Sequence, residues 1–327
     1  MNSSEQAGPA QRGDERLCDN CGTAIRGAYC WRCGQPTRSF IKAMPAVVRD
    51  VANDTLSYDS RLWRTLKPLM LSPGFLSREY VSGRRARYSP PFRLYIVTSI
   101  LAFLAVSFVV DTSQMGTGFG YGPGAEWVPP DAEPTPPSFQ FGAEPWDAED
   151  NPVELSWLGE RGNAWLNRQI GRMAENTQEI QRNPGRFVRH LISMLPQMMF
   201  VLLPIYAVLV TVLYLFSGRY YIEHLVLQVH NHAFLFLVMI ALILLGGMQN
   251  ALAGTESAAG GFVASSMGWL STLIKIWIPV YLFISIKRFY RQGWILTTLK
   301  FFILSIAYLV LFTLAISFTA LIGILNL

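Results

Sequence analysis

All four cysteines of this chain lie between residues 18 and 33, and three of its four histidines lie between 224 and 232. Cys18 and Cys21, then Cys30 and Cys33, form two Cys-x-x-Cys pairs, each followed by a glycine, Gly22 and Gly34. A two-residue spacer brings two thiolates onto one ion, and the glycine lets the backbone turn so that amides point at sulfur. Two such knuckles complete a tetrahedral four-cysteine site. The pattern predicts a zinc ribbon holding one Zn2+. Four thiolates leave no open position for a substrate, so this zinc is expected to be structural. A pair of disulfides or a redox dithiol are the alternatives, and both fit a reducing cytoplasm poorly. Arg26, Tyr29, Trp31 and Arg32 sit between and beside the knuckles. They could meet a nucleic acid or a protein, or simply cover a very small fold; nucleic acid is not the expected partner.

The second group lies in Tyr220–Phe234, YYIEHLVLQVHNHAF, which brings together Glu223, His224, Gln228, His230, Asn231 and His232. The apolar run LFLVMIALILLGGM follows directly, so these groups stand where a membrane span begins, a depth at which polar side chains are costly unless paired or used. On a helix of 3.6 residues per turn, Glu223 and His230 share a stripe with Leu227, while His224, Gln228 and Asn231 form the adjoining one. No two histidines are three or four apart, so this helix alone cannot chelate a metal. Three readings stand open: a polar network that packs helices together, a proton-relay or substrate site, and a metal site completed from elsewhere. Glu79, Tyr80, Tyr88, Tyr214 and Tyr220 are the available contributors. The packing network is the expectation, although six polar groups between 223 and 232 exceed what packing usually needs. Lys275 and Lys300, also within apolar runs, are expected to extend toward headgroups. The chain has no phosphate-binding glycine loop, Gly-x-Ser-x-Gly elbow or His-Glu-x-x-His motif.

The elements that must carry these groups follow from composition. Of the 327 residues, 51% are hydrophobic and 15% charged, and the apolar ones gather into runs long enough to cross lipid as helices. The expected fold is an all-α polytopic membrane protein with a small N-terminal ribbon and interfacial amphipathic helices. Its parts are a disordered tail at 1–17, the ribbon at 18–36, cytoplasmic membrane-surface helices at 37–91 and a transmembrane domain at 92–327. Spans are expected at about 92–110, 191–216, 222–248, 269–286 and 296–325.

Within the surface segment, one helix opens at Pro45 and continues to Leu56, and a second runs from Asp59 through Leu69. A third has Ser72 as its N-cap, Pro73 at its first position and Gly83 as a left-handed stop. Arg84, Arg85 and Arg87 come next, and a basic run beside a span is suited to anionic lipid headgroups or serves only as a topology signal. The net charge of +5 is accordingly read as directed at membrane lipid.

Residues 111–190 form an acidic, Gly- and Pro-rich loop followed by an amphipathic helix. That helix starts at Asn151-Pro152, carries a stripe from Leu158 through Trp165, Leu166, Ile170, Met173 and Thr177 to Ile180, and ends at Asn183-Pro184-Gly185. It could lie on the outer surface, pair with a copy of itself in a homo-oligomer, or cap the other helices. Arg78, Arg84, Arg85, Arg87, Arg93, Arg219, Lys287, Arg288 and Arg291 all fall on one side of a five-span path, with Arg186 and Arg189 as mild exceptions. The positive-inside rule then sets the N-terminus in the cytoplasm and the C-terminus outside.

Three pieces together resemble an uncharacterised bacterial inner-membrane family, domain of unknown function 3667. They are the ribbon ending CWRCGQ, the stretch TLKPLMLSPGFLSREYVSGRRARYSPPFRLY, and YYIEHLVLQVHNHAF. The resemblance implies a multi-span domain of the bacterial inner (cytoplasmic) membrane with an N-terminal zinc ribbon and no assigned activity. The five-span topology is also similar to that of the Yip family. The functional expectation is a scaffold or adaptor, more non-enzymatic than enzymatic, that docks a cytoplasmic protein partner. The rival is a transporter or membrane-embedded enzyme using Glu223, His224 and His230.

Overall fold

Where an apolar run is surrounded by lipid, its backbone amides and carbonyls must pair among themselves, and a helix is the way for one segment to do so. The computed structural model describes residues 17–25, 27–36, 60–109, 139, 145–253 and 257–326. The expected tail, Arg26, the helix from Pro45 to Leu56, Asp59 and nearly all of the acidic loop to residue 144 lie outside the described residues. The described chain is all-α: α1 (Ser60–Leu71), α2 (Phe75–Val81), α3 (Pro91–Val109), α4 (Gly159–Arg182), α5 (Pro184–Leu213), α6 (Tyr221–Ala253), α7 (Ala258–Tyr290) and α8 (Trp294–Leu325). Five of these, α3 and α5 to α8, are long and apolar enough to cross a membrane, and the protein is a multi-pass membrane protein. No strand occurs among the described residues. Isolated antiparallel bridges join Leu17 to Ala24 and Tyr29 to Pro36.

Prolines open α3 and α5 at Pro91 and Pro184, where the missing amide costs nothing because a first-turn amide has no partner within the helix. Pro196 and Pro204 are accommodated inside α5. Arg291 ends α7 in the left-handed region at φ 55°, its amide closing on Lys287 O at 3.0 Å. The helices run further than hydropathy marks: α5 starts at residue 184 and α7 at 258, because hydrogen bonding continues past the last apolar residue.

The chain divides into two compact units. One comprises Met1–Val97, Val210–Leu235 and Leu273–Phe301, and the other Thr98–Leu209, Phe236–Thr272 and Phe302–Leu327. The first holds the ribbon, α1, α2 and the polar start of α6.

In the second unit, Phe103 packs edge-on against Phe236 at 5.5 Å and Tyr206 against Tyr308 at 4.9 Å between ring centroids. Here α4 begins at Gly159, where the sequence places a start at Asn151-Pro152. The preceding residues stay out of the helix because two helix side chains hold their backbone. Asn163 exchanges hydrogen bonds with the amide and carbonyl of Leu155 at 2.9 and 3.2 Å, and Asn167 does so with Val153 at 2.9 Å each. Of the expected stripe, Ile170 and Ile180 are buried while Trp165 is exposed. Asn176 donates to Ile324 O at 2.6 Å, which sets α4 against the end of α8.

Candidate functional site

The ribbon is built from two copies of one local structure. In each, the first cysteine's carbonyl accepts from the glycine four residues on, Gly22 to Cys18 and Gly34 to Cys30, both at 2.8 Å. The first cysteine's own amide reaches across the turn to Thr23 O at 2.9 Å or Gln35 O at 2.8 Å. Gly22 and Gly34 stand at φ 71° and 70°, a conformation that disfavours any side chain.

The two knuckles face each other, Cys18 Sγ lying 3.7 Å from Cys33 Sγ and Cys21 Sγ 3.6 Å from Cys30 Sγ. All four sulfurs lie within 4.8 Å of one another. A tetrahedral ion with metal–sulfur bonds of about 2.3 Å needs sulfurs about 3.8 Å apart, whereas a disulfide needs about 2.05 Å. The donor set therefore fits a metal and does not form disulfides. Burial pushes the Cys18 thiol up to about 11, and the nearby Thr23 hydroxyl, 3.4 Å from Cys21 Sγ, draws that thiol down to about 6. Among the described residues no other group of three or more His, Cys, Asp or Glu side chains could hold a metal.

One side chain fastens the ribbon to the surface helices. Gln35, which is buried, donates to Gly83 O at 2.6 Å and accepts from the amides of Arg85 and Ala86 at 3.2 and 3.3 Å. Gly83 has φ 84°, and a Cβ there would come 2.8 Å from Asp19 Cβ, so this left-handed stop is also where the ribbon touches. Gln35 carries no mark in the sequence of what it binds; its partners lie about fifty residues away.

The start of α2 differs from the expected Ser72 cap. Ser72 O accepts from Phe75 N at 3.1 Å in a turn, and the helix begins after Gly74, which has φ 71°. A Cβ on Gly74 would meet Ser285 O at 2.7 Å; close approach of α7's backbone displaces the start by two residues. At the other end, Arg84 grips Glu79 through Nε and Nη2, at 2.6 and 2.5 Å. Its guanidinium holds the Glu79 carboxyl below the ordinary carboxylate range. Arg85 donates to Tyr80 O at 3.1 Å and lies over the Tyr80 ring at 4.8 Å, and exposed Arg87 lies over Tyr88 at 5.8 Å.

All six polar residues at the start of α6 are buried, and the two stripes go to different neighbours. His224 and Asn231 face α7: His224 Nδ1 is 2.5 Å from Tyr290 OH, and Asn231 Oδ1 accepts from Ser285 Oγ at 2.8 Å. His230 faces α2, its Nδ1 lying 3.0 Å from Ser77 Oγ and 3.1 Å from Val226 O. Glu223 pairs with Arg219 at 2.9 Å, and Arg219 also donates to Phe289 O at 2.8 Å and covers the Phe289 ring at 4.3 Å. His232 Nδ1 lies 2.8 Å from Gln228 O. The stripe thus divides, Glu223 to the loop before α6 and His230 to α2.

Tyr214 stacks on Tyr290 at 3.6 Å, whereas Tyr220 is exposed. Lys300, expected to extend toward headgroups, donates from its ammonium to Leu213 O at 3.1 Å and sits 4.0 Å over the Tyr214 ring. The last carbonyls of α5 lack donors within the helix, and Lys300 supplies one. Lys275 is exposed. Two polar atoms in this neighbourhood, His224 Nε2 and Tyr214 OH, are buried without a hydrogen-bond partner.

No curated protein and no solved structure matches the chain. Residues 59–103, which take in α1, α2, the arginine turn and part of α3, are similar to the family described as "Protein of unknown function (DUF3667)".

Proposed function

We propose that this multi-pass membrane protein is a scaffold or adaptor of the bacterial inner membrane, presenting a zinc ribbon to a cytoplasmic protein partner. The observation that carries this reading is how the ribbon is held. Gln35 fixes it to the turn after α2, while Trp31 and Tyr29 remain 75% and 67% exposed. A rigidly mounted small fold with outward aromatics has the features of a protein contact, because Trp and Tyr supply much of the energy where partners meet. Zinc is the ion that four thiolates in tetrahedral array best suit, and with no open position it serves structure. Basic residues beside the spans support a cytoplasmic N-terminus and an extracytoplasmic C-terminus. His224, His230 and Asn231 of α6 bond to neighbouring helices, which supports packing as their role.

A photo-cross-linking residue at position 31 of the full chain, in intact membranes, tests the reading. One discrete adduct is expected, and it should disappear when Tyr29→Ala is added while zinc content and membrane insertion stay as in wild type. No adduct, or one indifferent to Tyr29→Ala, would remove the proposal. The unpartnered His224 Nε2 and Tyr214 OH favour the second reading, a transporter or membrane-embedded enzyme. That reading expects His224→Gln to remove an activity from protein that remains folded.

A further inference from the structure

A cleft of about 10 Å³ opens beside the arginine turn, bordered by Tyr80, Arg84, Arg85, Tyr88, Ser89 and His230. We infer that it is a phosphate-binding site, seating one phosphate oxygen in the cleft and the rest of the group on Arg85 at its mouth.

The two neighbouring arginines differ in what they have left to give. The Arg84 fork is taken by Glu79. Arg85 uses Nε on Tyr80 O, and its terminal nitrogens make no hydrogen bond among the described residues. Stacking over Tyr80 at 4.8 Å steadies that guanidinium without consuming its donors. On the wall of the cleft, Ser89 is only 4% exposed, its amide is satisfied by Thr65 Oγ1 at 2.9 Å, and its own Oγ has no partner. A buried hydroxyl left unpaired is costly, and a ligand oxygen would relieve it.

The cleft has room for about one water-sized atom group, which matches a single phosphate oxygen and excludes a whole phosphate. A terminal phosphate monoester can insert one oxygen while the others meet the fork of Arg85. Ser89 lies two residues before α3, the first span, so the expected source is the headgroup of an anionic lipid, with free phosphate as the other source. The choice of lipid rests on the membrane-surface placement expected for residues 37–91; it does not depend on the ribbon having a partner, and the cross-linking experiment can fail while this site holds.

Native mass spectrometry of the detergent-solubilised full chain, titrated with phosphatidic acid and separately with phosphatidylcholine, provides the test. One phosphatidic acid should bind in preference to phosphatidylcholine. Arg85→Gln should weaken it about tenfold, the effect of losing a charge-assisted bond, and Ser89→Ala about fivefold. Arg78→Gln removes the same charge from an exposed position outside the cleft and should change binding less than about twofold, as expected for a screened surface charge. Inorganic phosphate at millimolar concentration separates the sources: displacement of the lipid means either source is accepted, and retention means the lipid alone is. Equal losses in Arg85→Gln and Arg78→Gln, or unchanged binding in Ser89→Ala protein with wild-type zinc content, would overturn the assignment. Should Arg85→Gln fail to fold, Ser89→Ala decides.

Discussion

Gly74 admits no side chain for two reasons at once. Its backbone is left-handed, at φ 71°, and the space a Cβ would fill holds Ser285 O at 2.7 Å. Ser285 is also the residue whose hydroxyl reaches Asn231. The left-handed conformation alone costs a substituted residue about 1–2 kcal/mol, and the contact with rigid backbone adds to it. Gly74→Ala should therefore lower the thermal midpoint of the purified protein by more than that conformational cost alone accounts for. A midpoint equal to wild type would show that α2 does not press on α7 as described. Gln35 is the complementary case, a residue conspicuous only for what it binds, since one amide side chain meets three backbone groups of the turn after α2.

At the scale of elements, the polar start of α6 is a junction. His230 ties it to α2 and His224 and Asn231 tie it to α7. Interhelical hydrogen bonds in membrane proteins contribute about 0.6 kcal/mol on average and up to about 1.7. A double-mutant cycle of Asn231→Leu and Ser285→Ala should return a coupling in that range, and zero coupling would detach Asn231 from the packing role.

The surface elements respond to pH through Glu79. Arg84 holds its carboxyl below the ordinary range, so the folded state favours the charged form. The pair's contribution is full above the unfolded carboxylate value of about 4.3 and is lost as pH falls through the depressed folded value. Between about pH 6 and pH 3 the wild-type midpoint should fall more steeply than that of Glu79→Gln; parallel profiles would contradict the pairing.

Much of this was legible beforehand, and the reasons are physical. Apolar runs in lipid leave the backbone little besides helix, so the five spanning helices follow from hydropathy. The cysteine spacing likewise dictates knuckles whose sulfurs meet. Helical periodicity separated His224 and Asn231 from His230, but it could not name their neighbours, because Ser285, Tyr290 and Ser77 lie far along the chain. Sequence alone puts the start of α2 at Ser72-Pro73, a good local cap, and only the nearness of Ser285 O makes Gly74 the turning point. Asn163 and Asn167 give no signal for the same reason: holding a non-helical segment beside their own helix is tertiary chemistry with no local signature. Nothing near Lys300 in the sequence announces its bond to Leu213 O, because the carbonyl end of α5 that receives it comes from a different helix.

For the molecule as a whole, α6, α7 and α8 have 33, 33 and 32 residues, about 50 Å at 1.5 Å per residue against a hydrocarbon core of about 30 Å. Helices of that length tilt or stand beyond the lipid, leaving room for polar chemistry at their ends. The four cysteines form the donor set that fits a metal, whereas His224 and His230 of α6 bond to neighbouring helices. Metal content of the purified full chain separates those roles most directly. One zinc per chain is predicted, lost in Cys18→Ser/Cys21→Ser protein and retained in His224→Gln/His230→Gln protein. A second equivalent of metal that disappears with the histidines would contradict it.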